Sequence, residues 1–265
     1  MKTKLILLIF VIGFFYACNQ KNKQAEQVIS QSDNSLVGKW VKVGQTGPVC
    51  FDFKNNGLFE GDFGNDQTVD VVAKYELSGD TLKLIDKEGQ MCQGVGKYLV
   101  YQSKYYISID LIDDECGGRV KTTMGFWTKP NFKDFIKTLD EEIEKSPNPD
   151  LYLSRARVHL ATGMIKQAKD DFDKYLLNDT LDARVFINRA GTRFPNDLEG
   201  VVSDCNKAIA LDANSKNAYF LRGLARYELG EEEQGCKDFS KAIELGFSVL
   251  RIAEQERCAE FWDEK

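Results

Sequence analysis

Three hydrophobic patterns follow one another along this chain. Leu5 to Phe15 is a continuous apolar run. From Leu36 to Thr128 apolar and polar positions alternate with a period near two, and past Pro130 apolar positions return every three or four residues. The alternating stretch holds about eight short segments with strand character. They run from LVGKWVKV at Leu36 through VCFDFK, GLFEGDF, VDVVAKYEL, TLKLID, GKYLVYQ and YYISIDLI to RVKTTMGFWTK, which ends at Lys129. Asn55-Asn56-Gly57, Ser78-Gly79-Asp80, Glu88-Gly89 and Gly117-Gly118 lie between them, residue types that accept the tight backbone of hairpin turns. Regular short strands without intervening helices predict an antiparallel sandwich or barrel, and closure would hide the edges. Beyond Pro130, Phe132, Phe135, Leu139 and Ile143 share one face of a helix from Asn131 to Lys145, which Pro147 and Pro149 end.

A longer period then emerges. Tyr152, Ala156, Gly163, Ala168 and Phe172 recur as Tyr219, Gly223, Gly230, Gly235 and Phe239. A weaker copy lies between, with Phe186, Ala190, a turn at Pro195-Asn196, then Val201, Cys205 and Ala208. The spacing is about 33 to 34 residues. In the clearest copy, Asn217 to Leu245, small residues (Gly223, Gly235, Ala242) mark where two helices cross closely, and Tyr219, Tyr227 and Phe239 fill the crossing. This unit is similar to a tetratricopeptide repeat. The resemblance implies helical hairpins stacked into a solenoid, because no single pair buries its own apolar face. The helix from Phe132 to Ile143 would close one end of the stack, and a last helix around Val249 to Trp262 the other.

A chain of 265 residues suits two domains with separate cores, and 43% hydrophobic with 29% charged residues is ordinary for a globular protein. The leading segment is an address. Lys2 and Lys4 precede the eleven-residue apolar run, which is short for a membrane span, and Tyr16-Ala17-Cys18 follows. This arrangement resembles a bacterial lipoprotein signal, which implies that Cys18 becomes the lipidated first residue. Asn19 is not the aspartate that retains members of that family in the inner membrane, and no acidic run follows Cys18. The expected location is therefore the outer membrane, facing the periplasm. Asn19 to Ser35 is polar with little to bury and reads as a flexible tether. The chain thus divides into 1–18 (signal), 19–35 (tether), 36–129 (β) and 130–265 (helical repeats). The net charge of −6 repels phosphate backbones, so nucleic acid is not an expected partner.

Gly38-Lys39-Trp40 on the first strand resembles the Gly-x-Trp signature of lipocalins. YELSGDTLKLID and DDECGGRVKTTMGFWTK are similar to the hairpin and closing strand of small lipocalin-like domains in bacterial lipoproteins. The resemblance implies that a basic residue of the last strand, Arg119 or Lys121, packs on Trp40. A small eight-stranded barrel fills with its own side chains. Trp40, Phe51, Phe53, Phe59, Phe63, Tyr75, Tyr98, Tyr106, Phe126 and Trp127 supply the bulk, so a filled core is expected. A barrel that carries a small apolar ligand is the alternative. The fold class is therefore β then α: a small antiparallel eight-stranded lipocalin-like barrel followed by a tetratricopeptide solenoid.

In the repeats, Arg155, Arg189 and Arg222 occupy one phase, and Asp171, Asp204 and Asp238 another on the facing helix. This phase-locking reads as an ion pair inside each repeat, of the exposed kind that contributes about 0–1 kcal/mol. Candidate partner-binding positions are instead Arg157, Leu160, Arg184, Ile187, Phe220, Leu224 and Tyr227 on the inner helices. Their bulky apolar and basic groups suit a peptide or a helix, and the barrel itself could occupy that groove. His159, the sole histidine, sits where the repeat usually places a core aromatic and reads as a packing residue.

Six cysteines remain beyond Cys18 in an exported chain, so disulfides are expected. A hairpin turning near Ser103 would carry its two strands out to Cys92 and Cys116 at one open end, within reach of each other. GCKDFSKAIELG followed by RCAEFW resembles repeat proteins whose last helix presents a cysteine to the preceding one, which implies Cys236 with Cys258. Cys50 and Cys205 read as small buried residues. No Gly-x-Ser-x-Gly, P-loop, His-Glu-x-x-His or calcium-loop pattern is present. Asp113-Asp114-Glu115, Asp140-Glu141-Glu142 and Glu231-Glu232-Glu233 read as solvated faces. No metal, cofactor or enzymatic reaction is expected. The function expected is recognition of a protein or peptide partner by a membrane-tethered scaffold.

Overall fold

The computed structural model describes residues 36–44, 47–86, 92, 94–178, 181–247 and 258–259. The signal, Cys18, the tether and the Glu88-Gly89 turn lie outside them, as does most of the proposed last helix, of which Cys258 and Ala259 are helical. Among the described residues there are eight strands: β1 (Gly38–Gly44), β2 (Gly47–Phe53), β3 (Leu58–Asp62), β4 (Val71–Ser78), β5 (Thr81–Asp86), β6 (Val95–Gln102), β7 (Tyr106–Asp113) and β8 (Gly125–Thr128). Each pairs antiparallel with the next, and β8 returns to β1 through Val41 and Thr128, closing the barrel. Alternation puts Val49, Phe51 and Phe53 of β2, Leu82 and Leu84 of β5, and Tyr98 and Val100 of β6 inside. With Trp40, Phe59 and Trp127 they make one packed cluster, and Phe51 stacks on Trp127 at 4.3 Å.

Four expectations need correction here. Arg119 to Thr123 are not strand but part of a short helix, α1 (Gly117–Thr123), lying where β5 and β7 finish and β6 begins. The β-branched residues Val120, Thr122 and Thr123 imitate a strand, yet Val120 and Thr123 are buried together, as one helix face requires. Neither Arg119 nor Lys121 packs on Trp40. Lys129 does, with Nζ 3.6 Å from the ring centre, while Arg119 is held in an ion cluster with Asp114 and Asp86. Asp114 is consequently buried rather than solvated; it also accepts from the Tyr98 hydroxyl and the Cys116 amide. Finally, Phe63 is exposed, and Tyr106 and Phe126 face the helices instead of filling the barrel.

After the barrel come α2 (Phe132–Lys145) and three hairpins: α3 (Pro149–Ala161) with α4 (Ile165–Tyr175), α5 (Ala183–Arg193) with α6 (Leu198–Leu211), and α7 (Lys216–Glu228) with α8 (Glu232–Glu244). Asn148, Asp182 and Asp197 cap α3, α5 and α6 by accepting backbone N–H groups that the first turn leaves unpaired. Gly163 and Gly230 turn the first and third hairpins with φ of 73° and 83°, a left-handed conformation that favours glycine. Phe172, Cys205 and Phe239 are the buried equivalents of one another. The arginine–aspartate pairs form inside each repeat but are not exposed: Asp171, Asp204 and Asp238 are 2%, 1% and 4% accessible. Each arginine grips its aspartate with two bonds of 2.6–2.9 Å, and its remaining nitrogen reaches back to Asp140, Asp173 or Asn206 of the preceding helix. His159 is buried with Nδ1 3.2 Å from Asp171. The disulfides join Cys92 to Cys116 and Cys236 to Cys258, with Cα separations of 5.7 and 5.5 Å, and Cys50 and Cys205 are buried free thiols.

Candidate functional site

The two halves meet at β7. Strand alternation there breaks down, for Tyr106, Ile107, Ser108 and Ile109 are all buried. One set fills the barrel and the other lies under the helices. Tyr105, Tyr106 and Phe126 pack with Phe132, Phe135 and Leu139 of α2 and with Leu151 and Val158 of α3. This second apolar cluster joins the barrel to the first hairpin, and Val43 of β1 closes against Gly163 in its turn. Arg157 of α3 donates to the Tyr106 hydroxyl and lies over the Tyr106 and Phe126 rings at 5.2 and 5.7 Å. On the next hairpin Arg184 lies over the Tyr101 ring at 5.2 Å.

Between these contacts opens a cleft of about 590 Å³. One wall is barrel: Leu99, Tyr101, Ser108, Asp110 and Leu111. The other is helical: Arg157, Arg184, Ile187 and Asn188, with Asn214 to Asn217 across the end. Burial holds the Asp110 carboxyl above the usual carboxylate range, against the opposing pull of Arg184 and Arg157.

The structure divides the seven candidate groove residues. Arg157, Arg184 and Ile187 come together in the cleft. Leu160 packs with Leu153, Phe172 and Val185 in the core that the first hairpin shares with α5. Phe220, Leu224 and Tyr227 pack against Cys236, Phe239 and Cys258, and Phe247 stacks on Phe220 at 4.3 Å. The barrel-side residues Tyr101 and Asp110 escaped sequence reasoning. The sequence carries no clear signal of them: along YYISIDLI the inward Ile107, Ile109 and Leu111 alternate with Tyr106, Ser108 and Asp110, as in a strand facing water.

A closed, internally packed antiparallel barrel joined to a stack of helical hairpins is the architecture that these features define. No protein-family model matches the chain. Over 84 residues it is 34% identical to human RNA polymerase II-associated protein 3, a match that spans 31% of this chain and 13% of that protein. Among solved structures it is similar to MamA (TM-score 0.45, 18% identity, 57% of this chain and 93% of the other). It is also similar to the first TPR of Spaghetti (RPAP3) bound to an HSP90 peptide (TM-score 0.34, 24%, 48% and 90%). A third is YrrB, a TPR protein with an unusual peptide-binding site (TM-score 0.45, 17%, 50% and 71%).

Proposed function

We propose that this chain is a scaffold, anchored through a lipid on Cys18 to the outer membrane and facing the periplasm, that recognises a protein or peptide partner at the inner surface of its repeats. The observation that carries this reading is the cleft. It is concave, and apolar, aromatic and cationic side chains from two structural halves converge on it. Repeat stacks recognise extended segments and helices through such concave surfaces. The cleft's lining contains neither histidine nor cysteine. The carrier alternative would need space inside the barrel that Trp40, Phe51, Phe53, Phe59 and Trp127 already fill. Two variants test the two parts of the proposal. Cys18→Ser should lose fatty-acid label and move from the membrane to the soluble fraction; unchanged label would contradict the anchor. Ile187→Asp should abolish partner recovery after crosslinking in cells, and undiminished recovery would contradict recognition at the cleft.

A further inference from the structure

Leu177 and Leu181 are 86% and 84% accessible, while no other large apolar side chain among the described residues exceeds 48%. They stand in Leu177-Asn178-Asp179-Thr180-Leu181, the link from α4 to α5, of which Leu177, Asn178 and Leu181 are described. Neither leucine joins an apolar cluster of the chain. Two contacts fix the end of the molecule to which they belong. The α3–α4 turn at Gly163 closes against Val43, where β1 finishes. The α4–α5 link lies at the far end of the same helices, and Arg184, three residues beyond Leu181, lies over Tyr101, where β6 finishes. In an antiparallel barrel β6 finishes at the end where β1 begins. Leu36 enters the barrel at that end, its carbonyl accepting from Trp40 Nε1. The chain coming from Cys18 therefore meets the barrel on the side that carries the two leucines. The opposite end exposes Phe63, Val69, Val95 and Ile112 at 40–48%, but among Asp66, Asp70, Asp113 and Glu115, with Lys97 and Lys121 against them. Anionic lipid repels such a surface. Near the leucines Asp182 caps α5 and pairs with Arg184, and Lys174 is exposed.

Resting on the Cys18 anchor proposed above, we infer that Leu177 and Leu181 dip into the bilayer that holds the anchor, and seat the molecule on it with the start of β1 toward the membrane. Two leucines bind a free protein to lipid only weakly. Beside a bilayer to which an acyl chain already confines them, the same contact decides which end faces down. The lipid-bearing full chain is reconstituted on vesicles of phosphatidylethanolamine and phosphatidylglycerol whose acyl chains are plain or brominated. Tryptophan is placed by Leu177→Trp, by Leu181→Trp or, at the opposite end, by Ile112→Trp. All three positions are exposed, so the fold bears the change. Bromine quenches an indole that reaches the acyl chains. The emission added at 177 and 181 should shift to the blue and be largely lost in brominated vesicles, while that added at 112 should be the same in both. Leu181→Asp in the Leu177→Trp chain should restore the emission. Flotation with the vesicles is read in the same samples. Chains that float yet show equal emission from 177 and 181 in both lipids, or are quenched at 112 instead, overturn the inference and leave the anchor standing. Chains that do not float overturn the anchor and the inference with it.

Discussion

Arg189 is the residue on which the middle of the stack turns. It binds Asp204 of its own repeat with two hydrogen bonds and Asp173 of the previous one with a third. Its removal takes two direct bonds from the buried Asp204 and leaves it the Nε of Arg193 at 3.4 Å, so Arg189→Met should cost about 1.5–3 kcal/mol in denaturant unfolding. The double variant Arg189→Met with Asp204→Leu should recover most of that loss. The pairing was legible from the sequence because arginine and aspartate kept the same phase in every copy. Its burial and the third partner were not, since Asp140, Asp173 and Asn206 become neighbours only once the hairpins stack. Lys42 was missed altogether. On β1 its Nζ donates to the Met124 carbonyl at 2.6 Å and lies 4.6 Å from the Trp127 ring centre. Burial pushes its pKa down to about 7. Between that value and the ordinary lysine range the unfolded chain carries a proton the folded chain lacks, so this group adds stability as pH rises from 7 to 10. The melting-temperature advantage of Lys42→Met over the native chain should therefore shrink across that interval; a pH-independent difference would contradict the assignment.

Among the elements, the third hairpin was the most legible, because glycine in a helix interior is costly unless packing demands it. A Cβ at Gly223 would come within 2.7 Å of the Phe239 ring, and one at Gly235 within 2.9 Å of the Gly223 carbonyl. Gly223→Ala should destabilise by about 1–3 kcal/mol despite its better helix propensity, as read from thermal or denaturant melts. α1 was illegible for the complementary reason. Its identity depends on Arg119 reaching Asp86, Asp114 and the Gly94 carbonyl, partners scattered over the strand ends. Gly96 is the trace this leaves in the sequence: a Cβ there would collide with Asp114 and Arg119. The same cluster took Arg119 away from Trp40 and left that ring to Lys129.

At the scale of the whole molecule, a barrel and a repeat stack were both readable, because each advertises its own period. Their junction was not, because an interface strand such as β7 satisfies two cores at once and hides its outer face among ordinary alternation. That junction covers Arg157 with a tyrosine, occupies part of the groove the helices alone would present, and builds the cleft. Whether the cleft receives a partner is tested most directly by placing a photo-crosslinking residue at Ile187, and at exposed Lys237 on α8 as a control, in cells that make the full chain. One defined protein adduct is expected from position 187, absent from position 237 and lost when Arg157→Gln is added. The same adducts from both positions, or an adduct indifferent to Arg157, would contradict it.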